Sequence, residues 1–210
     1  MHLKRLKLAE QAFLNRYPGG FQHPEMLAIG KKHNVTKLSD FCQQAFGKRN
    51  FSNTNQIIED WLKVISRSSM ISLFEKPKFK SFINTRNSDE KKALVQSAKM
   101  MLHGKAESGF DLQLDLLKMD KLAKWSIISA LPAYYRLQDE VFIKPTTAKG
   151  VVSYFELQDL TYKPTPSWDF YLNYRVQLTQ MKEQVDKCLS PSNPAFSGFL
   201  MMSLPKKKQR

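Results

Sequence analysis

Residues 125–174 read WSIISALPAYYRLQDEVFIKPTTAKGVVSYFELQDLTYKPTPSWDFYLNY, and the interpretation of this stretch decides the fold. Six of the seven tyrosines lie inside it, and Trp125 and Trp168 stand near its two ends. Aromatic side chains bury large areas and often carry a polar tip that needs a partner. Such a block is either the densest part of a core or a lined surface. Charge separates the two readings. Residues 106–166 carry 7 Lys+Arg against 8 Asp+Glu, residues 1–105 carry 19 against 8, and residues 167–210 carry 7 against 3. Stacking platforms for nucleic acid sit in basic grooves. A near-neutral aromatic block is therefore expected to be mostly core, with the positive field arising from the first half and the tail.

The chain has 210 residues, 42% of them hydrophobic and 25% charged, which suits one large globular domain or two small ones. Its net charge of +14 is not ordinary and favours an anionic partner: nucleic acid, a membrane surface or an acidic protein. Cys42 and Cys188 lie far apart, each among apolar residues. Two cysteines make no disulfide framework, so buried free thiols and a cytoplasmic location are expected. No apolar run approaches the roughly 20 residues that span a bilayer, and charges interrupt the N-terminal leucines where a signal peptide would be apolar.

Hydrophobic periodicity divides the chain into helices. Residues 2–17 place Leu3, Leu6, Phe13, Leu14 and Tyr17 on one face, expected to pack on the chain itself rather than on a membrane. Pro18-Gly19-Gly20 ends that helix, and Pro24 suits the first position of the next. Asn34 can take the left-handed conformation of a tight turn before a helix bearing Leu38, Phe41, Cys42, Ala45 and Phe46. These two helices could form a helix-turn-helix with Lys31, Lys32, Lys37, Lys48 and Arg49 on phosphates. Asp40 would then face the nucleic acid, which favours an ordinary helical hairpin.

Ile57, Ile58, Trp61, Leu62 and Ile65 give a strong third stripe, with Ser52, Asn53 and Thr54 as capping candidates. Residues 73–83, LFEKPKFKSFI, interleave Phe74, Phe79 and Phe82 with Lys76, Lys78 and Lys80. That pattern is a signature of single-stranded nucleic-acid contact. Its plainer reading is a turn at Pro77 with the phenylalanines inward and the lysines solvated. Asn87 and Glu90 resemble a capping box for a helix running to His103, with Gly104 following it. Residues 106–131 read as one long helix or two abutting ones, broken at Pro132. Asp111 and Asp115 share a face there, with no third ligand, so a solvated face is expected.

Residues 139–145, DEVFIKP, read as a short strand or extended segment. Thr146 and Thr147 are expected to cap the helix that follows. A helix start with two hydroxyls, free backbone N–H groups, Lys144 and Lys149 suits an oxyanion such as phosphate. The Gly-rich loop of a nucleotide site is missing, so a plain cap with surface lysines is the simpler reading. Tyr171, Tyr174, Leu178, Met181, Val185 and Cys188 form a packing seam after Ser167. Residues 195–204, AFSGFLMMSL, read as an apolar helix or docking arm.

The expected fold is mainly α: a compact multi-helix domain of about eight or nine helices with little or no β structure. A basic N-terminal lobe (1–104) and an aromatic-rich C-terminal lobe (105–204) would share one core, and residues 205–210 would form a disordered basic tail. The expected function is a non-enzymatic module binding DNA or RNA mainly through phosphates. The residues expected to carry it are Lys144, Thr146, Thr147, Lys149, Lys31, Lys32, Lys37, Lys48, Arg49, Lys76, Lys78 and Lys80. One alternative is a protein-interaction or scaffold domain, including a homodimer through the C-terminal arm. The other is an enzyme whose site is assembled from distant residues. No cofactor motif and no catalytic set is legible, and His2, His23, His33 and His103 lack the spacing of a zinc site.

Overall fold

In the computed structural model, which describes residues 1–205, the first periodic stretch forms α1 (Leu3–Arg16). It is followed by α2 (Pro24–His33), α3 (Val35–Ala45), α4 (Thr54–Arg67), α5 (Glu75–Thr85), α6 (Ser88–His103) and α7 (Ala106–Lys118). The second half holds α8 (Trp125–Ile128), α9 (Ala130–Tyr135), α10 (Pro145–Tyr154), α11 (Trp168–Glu183) and α12 (Asn193–Ser203). Short 3-10 turns cover Gly20–Gln22, Lys48–Ser52 and Lys187–Leu189. Among the described residues there is no strand, so the all-α class stands, with twelve α-helices rather than eight or nine. The expected basic tail lies outside the described residues from 206 onward.

Proline placement explains much of the excess. Pro77 does not make a turn: it is the third residue of α5, where its missing N–H is one that no helix uses. Pro132 likewise stands third in α9 instead of breaking it. Over 106–131, where one long helix or two abutting ones were expected, α7 and α8 form but do not abut: residues 119–124 separate them, and Lys121 adopts a φ of 57°. Residues 141–143 are extended and buried without a neighbouring strand; the Ile143 N–H donates to Ser129 Oγ at 2.9 Å.

Several local signals act as read. Asn87 accepts from Glu90 N at 3.0 Å while Glu90 Oε2 accepts from Asn87 N at 2.8 Å, closing the capping box of α6. Asn53 caps α4, and Asn34 turns the chain at φ 51°. The α10 expectation is corrected: Pro145 occupies its first position and Lys144 the cap, so neither threonine caps it. The α2–α3 expectation is corrected too. The stripe of α3 packs on α9 and α4, which leaves it no apolar face for α2. α2 buries only Met26 and rests on the Gly20–Gln22 turn. The pair is neither a hairpin nor a braced helix-turn-helix.

The aromatic stretch is core. Trp125, Tyr134, Tyr171 and Tyr174 are fully buried, and three of their polar tips find partners. Trp125 Nε1 donates to the Lys163 carbonyl, Tyr134 shares a hydrogen bond with Ser68, and Tyr171 donates to Glu140. Buried residues fall into two clusters. One joins α1 with α10, α11 and α12 and with Phe110, Leu114 and Trp125. The other joins α3 to α6 with Leu117, Ile127, Leu131 and Tyr134. The clusters meet along α6 and α7, the most closely packed helix pair. Gly109 permits that approach, because a Cβ there would stand 2.5 Å from Met101 N and 2.7 Å from Ser97 O.

α1 and the C-terminal arm both pack on their own chain. Phe196, Phe199 and Leu200 of α12 are buried against α10 and α1. The seam of α11 holds for Tyr171, Tyr174, Leu178 and Met181; Val185 and Cys188 lie past its end. Cys42 and Cys188 are unpaired, the first buried and the second half-buried. No helix among the described residues is long and apolar enough to cross a membrane.

Candidate nucleic-acid interface

The loop between α4 and α5 meets the start of α10, where Lys144 and Thr146 stand, and leads into Lys76 of α5. Ser68 anchors it: its buried Oγ lies 2.8 Å from the Tyr134 hydroxyl and accepts from Met70 N. Ser69 Oγ lies 2.9 Å from His33 Nδ1, which ties the loop to the α2–α3 junction with its Lys31, Lys32 and Lys37. Ser72 closes the loop, accepting from Phe74 N through its hydroxyl and from Glu75 N and Lys76 N through its carbonyl. Lys76 Nζ reaches back to the Ser66 carbonyl at 2.8 Å. Phe74 fills the N-cap position of α5 and makes no capping bond with its side chain. It is 82% exposed, and Leu73 beside it is 78% exposed.

A concavity of about 440 Å³ opens between this loop and the start of α10. Met70, Ser72, Leu73, Lys144 and Thr146 are among the residues that line it. The lining also includes Glu75, whose Oε2 accepts from Ser126 Oγ at 2.6 Å. Thr147 is buried and turned away from solvent, while Lys149 lies exposed one turn beyond Thr146. Lys78 and Lys80 are exposed on α5.

Lys48 and Arg49 go elsewhere. Their 3-10 turn packs on α6, next to a second concavity of about 610 Å³ lined by residues 52–55, Ser88, Lys91 and Lys92. The sequence reading did not single out Lys91 and Lys92, since only the tertiary fold sets the starts of α4 and α6 side by side. Lys92 is already paired with Asp89 at 3.0 Å.

These cations are unpaired, a state they share with others among the described residues such as Lys99, Lys105, Lys124 and Lys163. Among the described residues, none of Lys31, Lys32, Lys37, Lys48, Arg49, Lys76, Lys78, Lys80, Lys144 and Lys149 has a carboxylate within 4.0 Å. Ion pairs form elsewhere, as in Arg86 with Glu90 and Asp120, or Lys118 with Asp115. That last pair places Asp115 on a solvated face with Asp111.

The buried acid Glu140 is a structural hub. Its Oε1 lies 2.7 Å from Arg175 Nη1, its Oε2 accepts from the Tyr171 hydroxyl at 2.8 Å, and its carbonyl accepts from Asn193 Nδ2. Burial, then the Glu140 charge, push the Tyr171 hydroxyl well above its ordinary range. Tyr134, Tyr135, Glu140 and Lys144 have separate neighbours: Ser68, His103, Arg175 and the loop concavity respectively. Among the described residues no three His, Cys, Asp or Glu side chains gather as a metal site would.

Comparisons with known protein families, curated proteins and solved structures return no match. Fold and surface together define an all-α protein with uncompensated cations around an exposed aromatic loop.

Proposed function

We propose that the chain is a nucleic-acid-binding module, non-enzymatic, that acts mainly through phosphate contacts. One observation supports this reading: one loop touches the α2–α3 junction through His33, leads into α5 and meets the start of α10, and the lysines of these three elements have no acidic partners. A lysine already held by a carboxylate gains little from a phosphate. A free one displaces the counterions condensed on the nucleic acid, and that release supplies the affinity. The two free thiols suit a reducing compartment such as the cytoplasm.

Titration of labelled DNA and RNA across a salt series tests the proposal. Log K is expected to fall linearly with log salt, by about 0.9 per phosphate contact on duplex and about 0.7 on single strands. Lys144→Glu with Lys149→Glu should weaken binding and flatten the slope while thermal stability holds. Absent binding at low salt, or binding indifferent to salt, overturns the proposal.

A protein-interaction module is the second reading, favoured by the exposed Leu27 and Ile29 on α2. Under that reading Leu27→Glu with Ile29→Glu would abolish partner capture, and the lysine variants would have no effect.

A further inference from the structure

We infer that the concavity between residues 69–75 and the start of α10 receives an unstacked base of a single-stranded nucleic acid, and that Phe74 is the platform for the adjacent base. The inference deepens the nucleic-acid reading and rests on it.

Phe74 is the first ground. Three phenylalanines stand in or beside α5, and two of them, Phe79 and Phe82, are buried. Phe74 is not, although it adjoins the same helix. Its backbone is already helical, and Ser72 supplies the cap, its Oγ accepting from Phe74 N and its carbonyl from Lys76 N. The Phe74 side chain therefore serves neither packing nor capping. A ring left exposed beside a concavity is open to a ligand. An exposed ring next to cations is what base stacking uses.

The charge pattern selects the occupant. Lys76, Lys78 and Lys144 flank the loop without acidic partners, which suits a polyanionic backbone. The lining of the concavity also holds an acid. Glu75 presents a carboxylate, with Oε2 engaged by Ser126 and Oε1 without a protein hydrogen bond among the described residues. A carboxylate repels a phosphate, so the backbone belongs along the lysines and not against Glu75. The same carboxylate accepts well from the exocyclic amino groups of cytosine, adenine or guanine. Uracil and thymine carry no such donor. A volume of about 440 Å³ falls within the range of small-molecule sites, roughly 300–1,000 Å³. Bases inside a duplex are stacked and cannot enter, so single strands are the substrate class.

Fluorescence anisotropy with labelled rC, rA and rU 12-mers and a 12-bp duplex tests this. The intact chain should prefer single strands, and rC and rA over rU. Phe74→Ala should weaken single-strand binding about 5- to 100-fold and leave duplex binding and its salt slope unchanged. Phe74→Trp should retain affinity, with its fluorescence quenched on binding. Glu75→Ala, which removes the acceptor, should erase the preference for amino-bearing bases.

If Lys144→Glu loses affinity while Phe74→Ala binds as the intact chain does, the stacking inference falls and the phosphate reading survives. If the intact chain binds no oligonucleotide, both fall. Phe74-dependent binding to vesicles with 30% phosphatidylserine, without single-strand binding, assigns the loop to a membrane and overturns the inference.

Discussion

Glu140 and Glu75 are both carboxylates close to basic residues, and their surroundings are otherwise opposite. Glu140 is enclosed, with Arg175, Tyr171 and the more distant Arg136 around its oxygens. Every polar group there has a partner in the chain. Glu75 is half-buried in the lining of an open concavity, with one oxygen held by Ser126 and Lys144 in the same lining unpaired with it. The difference is one of enclosure: Glu140 is met by Arg175 and Arg136 inside the fold, and Glu75 stands where the lysines face water. The aromatic residues divide the same way: most hold the core, and Phe74 does not.

The largest effect expected from this contrast lies within one short segment. Phe79→Ala should cost about 3–5 kcal/mol, since it empties a fully buried site against Trp61. Urea unfolding measures it, and a cost under about 1 kcal/mol would show that the second cluster is loosely packed. Glu140→Gln follows, at about 3 kcal/mol, because Arg175 and Arg136 then lack a counter-charge near the interior. A fall in melting temperature of roughly 6–12 °C is the expected readout for a chain of this size.

Gly109→Ala should cost about 1–3 kcal/mol by pushing α6 and α7 apart. A variant as stable as the parent would mean that the helices can separate freely.

Alkaline pH gives a graded loss. Burial raises the Cys42 thiol from 9.0 to about 12, and burial, opposed by the Ser68 hydrogen bond, raises the Tyr134 hydroxyl from 10.0 to about 12. The fold favours the neutral form of both groups. Their contribution is therefore complete below about pH 9 and is lost as pH rises toward 12. Urea midpoints should be flat from pH 6 to about 8 and decline above about 9. Cys42→Ala should make the decline shallower without moving its onset, because burial also raises the Cys188 thiol from 9.0 to about 11. The smallest effect belongs to Phe74→Ala, within about 0.5 kcal/mol of the parent. A large loss there would show a packing role and remove the contrast with Phe79.

Legibility in the sequence followed how local the cause was. The capping box at Asn87 and Glu90, the turn at Asn34 and the stripe of α4 each depend on residues within one or two turns. The status of Pro77 and Pro132 was not legible, because a proline is harmless or disruptive according to where the helix begins. The α2–α3 pairing was misread for a related reason: the stripe of α3 was visible, but α9, which claims it, lies far along the chain. Lys144 and Thr146 could be noticed as a helix start. Nothing in the local pattern linked them to Ser69, Glu75 or Ser126.

By itself the sequence determined the helical class, the burial of the aromatic block and the surplus of positive charge. Each follows from periodicity, composition and short-range capping, which act between near neighbours. Only the tertiary structure decided which phenylalanine remains outside, which lysines share a loop and which acid stands near them. Those outcomes depend on packing between segments tens of residues apart, where a side chain's environment is set by whatever arrives opposite it.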